Sequence, residues 1–319
     1  MTATDPAPPA FRDRPRQDAA LGAAMIGLSM VLFGLVPFFA RHLTEAGLAP
    51  PALSMYRFML PAIVFLPFLR PWGERGRASL WAFGSGVMVA AGWMGYYSAL
   101  SRMPVPLLGV LYMTYPLFVL VIGWAFFRDR PHPRAWAGGG LILLAAVLAA
   151  GLSGGQPVGA AGLALALTAP LAFGFGVNVL THRLAALHPL SRIAAFSAGS
   201  TLGLAPVIAG LPRAAVIPDR AEVWLLVLGL TLVTALVPQI IYNIWVPRIG
   251  AAKAAVLGAL ELPAIFAVGW FALGDPVGPR EIAAGLLILV AILLTPSKPP
   301  VPAAAGPAPD SPRESESKP

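Results

Sequence analysis

Residues 257–266, Leu-Gly-Ala-Leu-Glu-Leu-Pro-Ala-Ile-Phe, set one carboxylate, Glu261, and one proline, Pro263, inside an otherwise apolar run. The surrounding stretch, residues 250–273, carries one further charge, Lys253 near its start. A run of about 17–25 apolar residues is what a helix needs to cross the hydrocarbon core of a bilayer. An ionisable side chain in the middle of such a helix costs a few kcal/mol or more, so it marks a functional position by default.

The rest of the chain repeats the pattern of this stretch. Of 319 residues, 57% are hydrophobic and 11% charged, with a mean hydropathy of +0.75, whereas soluble domains carry about 25% charged residues. Apolar segments separated by short breaks of Pro, Gly and charge fall at residues 20–41, 51–69, 79–100, 105–127, 133–151, 157–181, 189–210, 221–246, 250–273 and 279–296. The composition therefore predicts an all-α polytopic membrane protein with ten transmembrane helices. Pro170, Pro206 and Pro238 are positions where a helix could kink or split. Residues 1–19, rich in Pro, Arg and Asp, read as a disordered cytosolic leader. Residues 297–319, rich in Pro, Ala, Ser and Glu, read as a disordered cytosolic tail, because such compositions bury too little apolar surface to offset the entropy of ordering.

Basic residues set the orientation. With a cytoplasmic amino terminus, 16 Lys and Arg fall on the inner side, 5 (Arg41, Arg102, Arg213, Arg220 and Arg280) on the outer side, and Arg57 within a span. The positive-inside rule then predicts both termini in the cytosol, in the inner (cytoplasmic) membrane. The net charge of +8 is spread over short loops and forms no patch, so it points to membrane orientation and not to nucleic acid.

The two halves match. Gly123-Trp124-Ala-Phe-Phe-Arg-Asp129 parallels Gly269-Trp270-Phe-Ala-Leu-Gly-Asp275, Gly140-Leu-Ile-Leu-Leu parallels Gly285-Leu-Leu-Ile-Leu, and Phe33-Gly34 parallels Phe173-Gly174. Five crossings per half is an odd number, so residues 157–296 enter the membrane upside down relative to residues 20–151. The expectation is two inverted five-helix repeats.

Chemistry follows from the few polar groups at membrane depth. Glu261 has three readings: a site that loads and releases a proton during a conformational cycle, a ligand for a substrate amine or hydroxyl, or a structural group bonded to neighbouring helices or to Arg57. Pro263 removes a helical hydrogen bond beside it and bends the helix. Tyr112-Met-Thr-Tyr115-Pro116 puts a similar interruption at the matching place in the first half, and paired interruptions point to a central substrate site. Asn178 and His182, then Gln239, Tyr242 and Asn243, lie at helical spacing and are expected to face a cavity, with hydrogen bonding between helices the alternative for the amides. Trp93, Tyr96 and Tyr97 cluster on the third span as cavity lining, interfacial belt or packing. The expected cavity set is Glu261, Arg57, Tyr112, Tyr115, Asn178, Gln239, Tyr242 and Asn243, with Pro116 and Pro263 as helix kinks.

Metal and cofactor chemistry finds no support in the sequence. The chain has no cysteine, and its histidines, His42, His132, His182 and His188, form no pair with helical ligand spacing. There is no nucleotide-binding Gly-x-x-x-x-Gly-Lys-Ser/Thr loop and no arrangement of nucleophile and base for an intramembrane enzyme. No metal and no cofactor is expected.

Ten spans in two inverted halves, each with a Pro-containing helix, then Gly-Trp and an acidic residue, then a Gly-led apolar helix, resemble the drug/metabolite transporter superfamily, in particular its EamA-type members. The resemblance covers residues 20–296. Its pattern is carried by Pro116, Asp129 and Gly138 to Gly140 in the first half and by Pro263, Asp275 and Gly285 in the second; Tyr56-Arg57-Phe58 resembles the start of the family's second helix. The sequence departs from the family in having Asp where Glu is commoner at 129 and 275, in placing Leu262 between Glu261 and Pro263, and in offering Thr114 or Tyr115 where a second buried acid would stand. What the resemblance implies is a secondary carrier of small metabolites such as amino acids, often outward, by alternating access. Protons or an exchanged substrate are candidate driving partners, the bilayer is the other partner, and nothing in the sequence indicates an oligomer. A passive facilitator or channel would use the same spans and lining groups; an intramembrane enzyme is the more distant alternative.

Overall fold

The computed structural model describes residues 14–69, 76–151, 159–184, 187–249, 257–258 and 260–294. Among these every regular element is a helix. The expected tail and residues 1–13 of the leader lie outside the described residues. The expected leader also overlaps the first helix, α1 (Arg14–Gly34), which begins ahead of the apolar run. In chain order there follow α2 (Val36–Glu45), α3 (Pro50–Val64), α4 (Gly76–Ala99), α5 (Val105–Tyr112), α6 (Tyr115–Phe127), α7 (Pro133–Gly151) and α8 (Ala160–Arg183). Then come α9 (Pro189–Leu202), α10 (Ala205–Ala209), α11 (Arg213–Val216), α12 (Ala221–Thr231), α13 (Val237–Ile249), α14 (Glu261–Ala267) and α15 (Pro279–Leu294).

Among the described residues five segments are long and apolar enough to cross a membrane: Ala20–Glu45, Val105–Phe127, Ala160–Arg183, Pro189–Ala209 and Ala221–Tyr242. Pro133–Ala149 and Glu261–Ala272 are shorter apolar helices. Prolines decide where these segments are interrupted. Each of α2, α6 and α10 restarts with a proline in its first two positions, Pro37, Pro116 and Pro206, where the missing amide costs nothing. Pro263 likewise lies in the first turn of α14. Pro170 behaves differently: α8 runs through it unbroken. Pro238 follows a π-helical turn, Leu232–Leu236, that joins α12 to α13, and a second π-turn, Val268–Ala272, follows α14.

The core is organised around α4, which packs on α8, α9 and α3. Small residues bring the backbones together: a Cβ added to Gly86 would run into the Phe196 carbonyl, and one added to Gly199 into the Phe83 carbonyl. Without a hydrophobic drive between helices in lipid, such close packing and interhelical hydrogen bonds carry association. Ser54 Oγ donates to the Ala90 carbonyl at 2.6 Å and Ser200 Oγ to the Gly86 carbonyl at 3.0 Å.

Helix contacts occur in exchanged pairs. α4 packs on α8 as α1 packs on α13; α6 on α8 as α14 on α1; α4 on α9 as α12 on α3. The residues repeat the exchange. Thr168 Oγ1 donates to the Gly92 carbonyl at 2.9 Å across α8 and α4, and Ser29 Oγ to the Pro238 carbonyl at 3.3 Å across α1 and α13. A Cβ on Gly174 would meet Phe118 Cβ at 2.8 Å, and one on Gly34 would meet Ala264 Cβ at 2.5 Å. The outward face is apolar, and the matched Trp124 and Trp270 are 57% and 53% exposed, as lipid-facing aromatic side chains near an interface would be.

Candidate functional site

Around the place where α5 breaks into α6, side chains from both halves converge. Arg57, about two turns into α3, is buried to 4% exposure. Its Nη2 donates to the Thr234 carbonyl, inside the first π-turn, at 3.1 Å; its Nη1 approaches the Tyr97 hydroxyl at 3.5 Å. The guanidinium lies over the Trp93 ring, 3.9 Å from its centroid. A desolvated cation over an indole gains about 2 kcal/mol, which offsets part of the cost of a charge at this depth. Nε of Arg57 is buried with no hydrogen-bond partner.

From Trp93 an aromatic chain runs across the helices. Trp93 touches Tyr96 at 5.0 Å and Tyr112 at 5.4 Å between ring centroids, Tyr112 touches Tyr115 at 5.9 Å, and Tyr115 meets Phe173 of α8 edge-on at 5.0 Å. Tyr96, Tyr97 and Tyr112 are all buried. The break after Tyr112 turns two tyrosines into one cluster: Thr114 Oγ1 donates to the Leu111 carbonyl at 2.6 Å, closing the end of α5, and Tyr115 opens α6.

Glu261 enters from the other half as the first residue of α14, at the restart that Pro263 sets. It lies within electrostatic reach of Tyr96, Tyr112 and Tyr115 of the first half, of Tyr242 on α13, and of Arg57. Arg57 acts on it through space, since the guanidinium is bonded to Thr234 and stacked on Trp93. The site therefore has a cation at one end, a carboxylate at the other and rings between them.

The expected residues divide. Arg57, Tyr112, Tyr115 and Glu261 are brought together, with Pro116 and Pro263 at the two interruptions. Tyr242 stands at the edge, 38% exposed, and Gln239 is half-buried on α13. Asn178 is elsewhere: its Nδ2 donates to the Val119 carbonyl at 3.0 Å and the Gly174 carbonyl at 2.9 Å, tying α8 to α6. A buried amide here bonds helices and does not face the cluster. The side chain of Asn243 lies outside the described residues. Trp93, Tyr96 and Tyr97, which sequence spacing left open between cavity and belt, are buried beside Arg57. Phe173 and the Thr234 carbonyl have no signal in residue type alone; Phe173 could have been found through its repeated Phe-Gly pair.

Away from this cluster, the two Gly-Trp segments end alike. The Asp129 amide donates to the Gly123 carbonyl at 3.0 Å past Arg128 in the left-handed region (φ 58°), and the Asp275 amide donates to the Gly269 carbonyl at 2.8 Å past Gly274 (φ 68°). Each aspartate then reaches the first apolar span of the opposite half: Asp275 Oδ2 pairs with Arg41 Nη2 of α2 at 3.3 Å, and Asp129 Oδ1 with His182 Nε2 of α8 at 3.2 Å.

The model of the EamA-like transporter family matches residues 20–151. The chain is 25% identical over 281 residues to an uncharacterized transporter of Archaeoglobus fulgidus, covering 86% of this chain and 95% of that one. A solved structure, described only as the crystal structure of a protein, matches with a TM-score of 0.59 at 17% identity, covering 86% of this chain and 96% of that one. This last likeness concerns the fold alone. The described residues hold several apolar helices of spanning length, as a multi-pass membrane protein does, and the family matched over residues 20–151 is one of transporters.

Proposed function

We propose that this EamA-type protein is a secondary carrier of small metabolites such as amino acids, working mainly as an exporter by alternating access. One observation carries the reading. Glu261, at a restarted helix of the second half, converges with Arg57 and the Trp93–Tyr112–Tyr115 cluster of the first half. A substrate held there touches both halves, so rocking of one half on the other changes which face it sees. Glu261 suits an amine or hydroxyl, the rings suit an apolar body, and the unpartnered Nε of Arg57 suits a carboxylate.

The mechanism we propose takes ten crossings in two inverted repeats, and the exchanged contacts support the repeats: α4–α8 with α1–α13, α6–α8 with α14–α1. Both ends of the chain are placed in the cytosol of an inner membrane by the excess of Lys and Arg on that side. Asp129 and His182 then lie at the cytosolic mouth, Asp275 and Arg41 at the outer one.

The test is flux of labelled amino acids in proteoliposomes of the purified protein. Saturable flux that falls in Glu261→Gln, or loses its dependence on the pH gradient, is the expected outcome. Unchanged uptake and an unchanged pH profile in that variant remove Glu261 from coupling and from the site. Accumulation against a gradient that a protonophore abolishes assigns a proton-coupled carrier, whereas strictly downhill flux assigns a facilitator.

A further inference from the structure

The two aspartate bridges at the ends of the Gly-Trp segments are built on one plan but with different cations. At the outer mouth Asp275 Oδ2 accepts from Arg41 Nη2 at 3.3 Å and from the Val105 amide at 2.8 Å, and Arg41 Nη2 also donates to the Leu100 carbonyl at 3.2 Å. A guanidinium stays charged at any pH the cell meets. At the cytosolic mouth the partner is His182, an imidazole, the one ordinary side chain that changes charge between about pH 5 and 8.

Two acceptors bracket that ring. His182 Nδ1 lies 2.9 Å from the backbone carbonyl of Asn178, which can only accept, so Nδ1 carries a hydrogen. Nε2 lies 3.2 Å from Asp129 Oδ1. A neutral imidazole donating through Nδ1 would aim its Nε2 lone pair at a carboxylate, two acceptors facing each other. The closed bridge therefore holds one proton more than neutral imidazole plus carboxylate. Phe127 fixes the ring by stacking on it at 4.7 Å between centroids. Gly123 makes room, since a Cβ there would stand 2.9 Å from both Asp129 Oδ2 and Asn178 Oδ1.

We propose that His182 and Asp129 form a proton-binding latch that holds α6 against α8 and keeps the cytosolic mouth shut, while the Arg41–Asp275 latch at the outer mouth is indifferent to pH. The proposal rests on the two-faced carrier described above. Closing the inner mouth favours the protonated bridge and opening favours release of the proton to the cytosol, so the linkage is a fraction of a proton per cycle. The side chains of His182 and Asp129 are 26% and 27% exposed, so the exchange is with the near solution and no proton crosses the membrane. Raising cytosolic pH weakens the latch and favours the inward-open state. The charged and titratable groups carried by its own helix and the neighbouring elements are Asp129, Arg128, Arg130 and His132 from the segment joining α6 to α7, Arg183 on its own helix, His188 ahead of α9, and Arg77 on α4. Arg183 is stacked over Trp81 at 5.3 Å and over Phe127 at 5.8 Å. Among these Asp129 is the anion, so the bridge depends on it.

The chain has no cysteine, so a single introduced thiol reports without background. Val179→Cys puts one on α8, at a position buried to 0% exposure in the closed form. The full-length protein in inside-out vesicles is labelled with an impermeant maleimide from the cytosolic face, and each rate is divided by the rate in the His182→Arg background at the same pH, which cancels thiol ionisation. A part-exposed charge pair of this kind supports a change of about threefold. The ratio is expected to rise about that much between pH 6 and 8 on the cytosolic side, and to stay level when the lumenal pH alone is changed. Asp129→Asn, whose amide can donate to a neutral ring, is expected to give a level ratio as well; it replaces His182→Arg as denominator if that variant does not accumulate. Labelling whose ratio ignores cytosolic pH overturns the latch and leaves the carrier intact. Labelling absent from the cytosolic face at every pH overturns the carrier reading together with the latch.

Discussion

The interrupted helix of the first half, α5 with α6, and that of the second, α14 with its π-turn, share a frame and differ in chemistry. Both restart with a proline in the first turn, both end in Gly-Trp followed by a left-handed residue and an aspartate whose amide bonds back to the glycine carbonyl. At the restart itself one offers Tyr112, Thr114 and Tyr115, and the other offers Glu261. The alternating access proposed above requires such a frame twice. The carboxylate is needed once, and a second buried acid opposite it would raise the cost of burial with nothing to offset it. Divergence at the restart, inside a duplicated scaffold, is where specificity has room to arise.

The contrast can be broken most directly at the acid. Glu261→Gln is expected to lower transport by more than about tenfold, equivalent to about 1.4 kcal/mol or more, whereas Tyr115→Phe in the matching turn stays within about threefold; initial flux in proteoliposomes compares them. Equal losses in both would mean that the two restarts contribute alike. Next comes the shared frame. Gly34→Leu and Gly174→Leu force side chains into Ala264 and Phe118, and each should cost about 1–3 kcal/mol by overpacking, read as similar drops in detergent unfolding temperature. A loss in only one of them would break the exchanged symmetry. The smallest effect sharpens the ends. Arg128 holds φ 58° with a side chain while Gly274 holds φ 68° without one. Arg128→Gly should leave stability level or raise it by about 0.5–1 kcal/mol, and Gly274→Ala should lower it by about 1 kcal/mol.

Much of this frame is legible in the sequence because it is written in periodic and punctuating residues. Apolar length gives the helices, and Pro116, Pro206 and Pro263 mark restarts because a proline cannot continue the preceding turn. Pro170 misleads: α8 absorbs it without a break, since neighbouring helices can re-satisfy the freed backbone groups. The site is half legible. Glu261 and Arg57 stand out because charge is costly at depth, whatever surrounds it. Asn178 carries the same polar signal yet serves as a bond between helices, a distinction that depends on which carbonyls lie within 3.0 Å of its amide. The Thr234 carbonyl is invisible beforehand because a π-turn is a backbone event without a residue signature. Asp129 and Asp275 are visible as repeated letters, but their partners come from the opposite half, and spacing along the chain says nothing of that exchange.

Exchange between halves has a consequence for biosynthesis. Ser29 of α1 bonds to the carbonyl of Pro238, 209 positions later. At about 5–20 residues per second the ribosome takes roughly 10–40 s to make that stretch. During this interval α1 sits in the bilayer with a serine hydroxyl and a groove of small residues waiting for a helix not yet synthesised, so maturation of the first half is bound to the arrival of the second.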